Sequence, residues 1–164
     1  MSIRFRVERT KKFLISAYPS TGLVGFAARG DLVYKSSDLY AQSSSDLAGS
    51  TLGAILGIVE VASASTATLG QIAPVSGELL EIDYSTDYST SIATATNIGR
   101  AFRISASTVI GTVIDLSTAP VKVTTYGSTV DAVTSTNKEC FVVTGFDAVG
   151  GKAIGYIPNR FCNI

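Results

Sequence analysis

The chain has 164 residues, of which 46% are hydrophobic and only 16% charged, with thirteen basic and thirteen acidic side chains. It contains no histidine, which removes the commonest general base and metal ligand and excludes Ser-His-Asp and Cys-His catalysis. The length suits one domain able to bury a real core.

The zero net charge is unevenly placed. Residues 1–12 hold Arg4, Arg6, Arg9, Lys11 and Lys12 against Glu8, a surplus of four positive charges that the remaining chain balances. Within this start Ile3, Phe5 and Val7 alternate with Arg4, Arg6 and Glu8, the period of a strand with one buried face. Two roles fit a basic arm on an acidic body. As a tether it docks on a partner's sheet edge, with Phe5 in the apolar contact and Arg4 and Arg6 on the partner's carboxylates; otherwise it is an edge strand of its own fold. No signal peptide is visible and no stretch approaches the roughly 20 apolar residues of a membrane span, so a soluble product of the cytosol is expected.

Phe13-Leu14-Ile15 reads as more strand, Tyr18 to Gly22 as a turn cluster, and Leu23 to Ala28 as a short apolar stretch. Arg29-Gly30-Asp31 is a turn that happens to spell an integrin-binding tripeptide, before a strand at Leu32-Val33-Tyr34. Ser36 to Ser50 is polar, with room for a short strand at Leu39-Tyr40-Ala41. Ala54 to Val61 is a buried strand interrupted at Gly57; its β-branched Ile58, Val59 and Val61 argue against a helix. Gln71 to Val75 leads into a turn at Ser76-Gly77.

In the next segment Leu80, Ile82 and Tyr84 share one strand face, and Glu81 and Asp83 share the other. Two carboxylates so placed can hold a cation or work as an acid–base pair, but a solvated strand face is the plainer reading. A tandem Asp-Tyr-Ser-Thr follows, and Asp83 to Thr96 reads as a long loop. Its Tyr84 and Tyr88 are the residue type favoured at protein interfaces.

Asn97 to Ser117 reads as two strands around a small-residue turn at Ser105 to Thr108, with Phe102 and Ile104 inward and Ala101 and Arg103 outward. Val121, Val123 and Thr125 alternate as a further strand, and Cys140 to Phe146 is a strong one. Asp147 to Gly151 joins it to a partner at Ala153 to Ile157, closed by Pro158-Asn159. About ten short strands without a helical period predict an all-β domain, a β-barrel or a β-sandwich. Cys140 and Cys162 flank this hairpin and are expected to be free thiols in a cytosolic product.

The usual chemical signatures are missing. Gly150-Gly151-Lys152 is followed by alanine, so it is not the end of a phosphate loop. The aromatics are not interleaved with basic residues as a nucleic-acid platform would have them. The expectation is therefore no enzyme, no cofactor, no metal, no nucleic acid and no membrane partner.

The order of the segments carries a resemblance. Gly30 to Val33, Leu56-Gly57-Ile58-Val59-Glu60-Val61, Gly77 to Ile82 and Asn97-Ile98-Gly99-Arg100-Ala101-Phe102-Arg103-Ile104 are followed by Gly111 to Ser117, Cys140 to Asp147 and Gly151 to Ile157. This series resembles the head decoration (capsid cement) proteins of tailed bacteriophages, especially those of cyanophage-like viruses. The likeness covers residues 30–164 and leaves residues 1–29 as a basic arm with the first strands. It implies a single-domain β-barrel or β-tulip protein, often a homotrimer, that coats the virion, binds the major capsid protein and braces the shell. A tail, fibre or adhesin-type domain and a small-ligand or carbohydrate-binding β module are the alternatives. The interface residues expected on this reading are Arg4, Phe5, Arg6, Tyr84 and Tyr88.

Overall fold

A computed structural model describes residues 3–6, 13–16, 29–36, 39–42, 55–61, 69–84, 95–107, 111–115, 121–122 and 139–162. These form two sheets. The first holds β1 (Ile3–Phe5), β7 (Leu80–Tyr84), β8 (Arg100–Ser107), β9 (Gly111–Asp115), β10 (Val121–Lys122), β11 (Glu139–Asp147) and β12 (Lys152–Tyr156). The second holds β2 (Phe13–Ser16), β3 (Leu32–Ser36), β4 (Leu39–Gln42), β5 (Ile55–Val61) and β6 (Leu69–Ala73). The only helical turns among the described residues are short 3₁₀ turns at Ala95–Asn97 and Asn159–Phe161. The described residues bear out the sheet-rich class expected from the period-two patterning.

The strand order in the first sheet is β1-β7-β12-β11-β8-β10, and in the second β2-β6-β5-β3-β4. Among the described residues the pairing of named strands is antiparallel with one exception. β9 pairs antiparallel with β8 from Arg103↔Asp115 to Ser107↔Gly111, then parallel with β7 at Asp83↔Val113 and Tyr84↔Ile114. The pairings thus return to β7, but by a link of two residue pairs, and no closed barrel is seen among the described residues.

One apolar core serves both sheets. Leu32, Ile55, Ile58 and Val75 from the second sheet and its following turn cluster with Ile3, Leu80, Ile82, Phe102, Ile104 and Phe141 from the first. Strand alternation explains the membership: Leu80, Ile82 and Tyr84 all turn inward from β7, as Phe102 and Ile104 do from β8. A parallel bridge between Ile55 and Cys162 ties the end of the described chain to the second sheet.

The N-terminal strands cross the proposed boundary at residue 30, since β1 pairs with β7 and β2 with β6. Ile3 faces Ile82 and Phe13 faces Ile72. The two pairings keep the same offset, since the step from Ile3 to Phe13 equals the step from Ile72 to Ile82. The Arg6 amide donates to the Leu79 carbonyl in that same register. The described pieces of the N-terminal segment thus act as a strap, with β1 an outer strand of the first sheet and β2 an outer strand of the second.

Three expectations change in detail. Gly57 does not interrupt β5, which runs through it and pairs Gly57 with Val33. A Cβ there would run into the Ala73 carbonyl, so glycine permits a close approach of backbones and no break. Tyr84 is not in the loop after β7 but ends the strand, 7% exposed, with its ring edge-on to Phe146 at 6.0 Å. β8 also continues to Ser107 through the turn expected at Ser105. Tyr88, the rest of the loop through Thr94, and Val123 to Asn137 lie outside the described residues.

Candidate functional site

The face of β1, β7 and β12 that points away from the core carries the most chemistry. Cross-strand register arranges it in rows. Arg4 faces Glu81, and Glu81 faces Ile154. Asp83 faces Lys152. One step beyond the pair Leu80↔Gly155, alternation puts Leu79 and Tyr156 on this same face, and the Arg6 backbone bond sets Arg6 opposite Leu79.

Glu81 was expected on a solvated face, and the structure overturns that. It is buried because Arg4 of β1 and Arg6 just after it close over it. Arg4 donates its Nε–H to Oε2 at 2.5 Å, and Arg6 donates an Nη–H to Oε1. The extended register makes this possible, since Arg4 and Arg6, two residues apart, flank one residue on β7. Burial alone would raise the carboxyl's pKa, but hydrogen bonds from Arg6 and Arg4 and the charges of both outweigh it, and the net shift is downward. Glu81 is therefore held as a carboxylate and has no proton to offer near neutral pH. Asp83 is paired with Lys152 across the strand. Among the described residues no group of three or more His, Cys, Asp or Glu is placed to hold a metal ion.

The sign of the Glu81 shift fixes a pH dependence. A carboxyl lowered in the folded state stabilises fully above its ordinary value of 4.5, and the contribution is lost as pH falls through the lowered native value. Urea midpoints of the wild type and Glu81→Gln should therefore differ most above pH 4.5 and converge in stronger acid. A constant difference down to about pH 2 would mean that ionisation of Glu81 contributes nothing.

The two ends of the face differ. Toward β8 and β11 it is covered: Ala101 and Val142, which alternate with inward Phe102 and Phe141, are buried as well. Toward β1 it is open, with Leu79 43% and Tyr156 37% exposed. Of the residues expected at an interface, Arg4 and Arg6 lie together on the open side. Phe5 points the other way, partly buried against the core, and Tyr84 lies in the core. Sequence reasoning missed Lys152, Leu79 and Tyr156. It also missed that Arg4 and Arg6 find Glu81 within their own chain, although two alternating segments of opposite charge offered a signal for that pairing.

No protein-family model, curated protein or solved structure matches the chain.

Two further features have structural roles. Arg29-Gly30-Asp31 is pinned to β5: the Gly30 amide donates to the Val59 carbonyl, the Val59 amide donates to the Asp31 carbonyl, and Arg29 reaches Glu60 at 3.5 Å. Cys140 and Cys162 are both free thiols, Cys140 buried and Cys162 partly so. Burial pushes the Cys162 thiol up to about 11 from 9.0, and its Sγ lies 3.8 Å from the Pro158 carbonyl. A thiolate is the reactive form, so iodoacetamide at pH 8 should label native Cys162 roughly 100-fold more slowly than the unfolded chain. Mass spectrometry of timed samples reads this directly, and equal rates would show the thiol to be open.

Proposed function

We propose that this protein is a non-enzymatic structural protein of a phage virion, which binds the outer surface of the assembled capsid and bridges major capsid proteins. The observation that carries the reading is the open face of β1, β7 and β12, where paired cations stand beside exposed Leu79 and Tyr156. That mixture of arginine, tyrosine and aliphatic surface suits docking. The resemblance of the ordered segments supplies the partner, the trimeric state and the virion location. The finer fold, a small barrel of the tulip kind, is supported by the path of pairings that returns through β9 to β7. A surface this poor in charge binds weakly at any one contact, and repetition over a capsid lattice turns weak contacts into stable occupancy.

Co-sedimentation with purified, DNA-free heads of a cyanophage-like virus tests the reading. Saturable binding, at a stoichiometry set by the lattice and accompanied by a raised head-melting temperature, is the expected result. Protein that stays in the supernatant at every concentration, or binds without stabilising the heads, would sink it. Light scattering during gel filtration checks the trimer separately.

A further inference from the structure

We propose that Arg4, Arg6 and Glu81 form a preorganised carboxylate-binding site, which docks an acidic segment of a partner protein carrying an apolar residue beside its Asp or Glu. The inference deepens the docking reading above and rests on that face being an interface, but not on the partner being a capsid.

Glu81 lies underneath, with its side chain 8% exposed, while Arg4 and Arg6 remain 55% and 42% exposed above it. Each guanidinium has five N–H donors, and the contacts to Glu81 engage the Nε–H of Arg4 and an Nη–H of Arg6. Among the described residues the two guanidiniums have no other partner, and both stay about half exposed above Glu81. Two positive charges over one negative leave the cluster a net positive charge, so a second carboxylate completes it. Glu81 also fixes the orientation of both arginines before any ligand arrives, which reduces the side-chain entropy lost on binding.

The neighbours select among anions. Arg6 stands opposite Leu79, with Tyr156 next across the sheet, so the surface beside the charge is apolar. On the other side Asp83 and Lys152 neutralise each other. A single carboxylate with an adjacent aliphatic side chain matches both parts of the site.

The test is an NMR titration of the ¹⁵N-labelled full-length protein with a short synthetic peptide, acetyl-Gly-Leu-Glu-Leu-Gly-amide, and with its Gln counterpart. The Glu peptide should shift the Arg4 and Arg6 Nε–H signals and the Leu79 and Tyr156 amides saturably, binding about tenfold more tightly than the Gln peptide. Arg6→Lys, which keeps the charge but loses the fork, should weaken binding about fivefold with the amide spectrum otherwise intact. Tyr156→Ala should weaken it without moving the arginine signals of the free protein. Equal binding of the Glu and Gln peptides, no shift at about 5 mM peptide, or tighter binding of inorganic phosphate than of the Glu peptide would each overturn the proposal. Peptide binding without head binding would sink the capsid reading alone, whereas head binding unaffected by Arg6→Lys and Tyr156→Ala would sink this site alone.

Discussion

Deleting residues 1–6 should cost at least about 3 kcal/mol of stability and lower the melting temperature by roughly 10 °C, or prevent folding altogether. Two losses combine. Ile3 is fully buried between the sheets, and its removal opens a cavity beside Ile82. Without Arg4 and Arg6, Glu81 loses both hydrogen-bonding counter-charges as its cover is removed, so their stabilising contribution goes too. Shorter changes separate the parts. Ile3→Ala removes only the packing, at about 2–4 kcal/mol, and Arg4→Ala with Arg6→Ala removes only the counter-charges. Chemical denaturation of the three proteins at neutral pH measures them. A truncated protein as stable as the full chain would show that the strap is not part of the core.

Gly155→Ala should be the most damaging single methyl addition, at about 3 kcal/mol. Gly155 sits in β12 opposite Val143, and a Cβ there would meet the Val142 carbonyl and come within 2.8 Å of the Phe141 ring. Neither can move cheaply. The carbonyl belongs to the central β11 backbone, and Phe141 is among the largest fully buried side chains. Gly145→Ala is the control, because nothing lies within 4 Å of its added carbon, so its effect should stay within about 0.5 kcal/mol. Equal urea midpoints for the two variants would mean that β11 and β12 are less closely packed than they stand here.

The elements that the sequence made legible share a property: their alternation is local. Leu80, Ile82 and Tyr84, or Phe102 and Ile104, announce an inward face within five residues, and each is buried as that pattern requires. The hairpin of β11 and β12 was legible for the same reason, with its turn residues beside its strands. What could not be read is the neighbour across the sheet. Glu81 looks like a solvated carboxylate because the arginines that cover it stand 75 and 77 positions earlier. Gly57 looks like an interruption because the Ala73 carbonyl that requires it belongs to another strand. Leu79 and Tyr156 become neighbours only once β7 and β12 pair. A local period reveals that a strand has two faces but not what lies against them, and the candidate site is made of such pairings.

The strap of β1 and β2 has a consequence for the order of events during synthesis. Ile3 and Phe13 are made well before their partners, Ile82 and Ile72. β1 and β2 must therefore wait unpaired until β6 and β7 have emerged. Because side chains alternate along a strand, a misplacement of β1 by a single residue would present the arginines inward in the first sheet. The charges then favour the correct alignment, because only that alignment brings Arg4 and Arg6 onto Glu81.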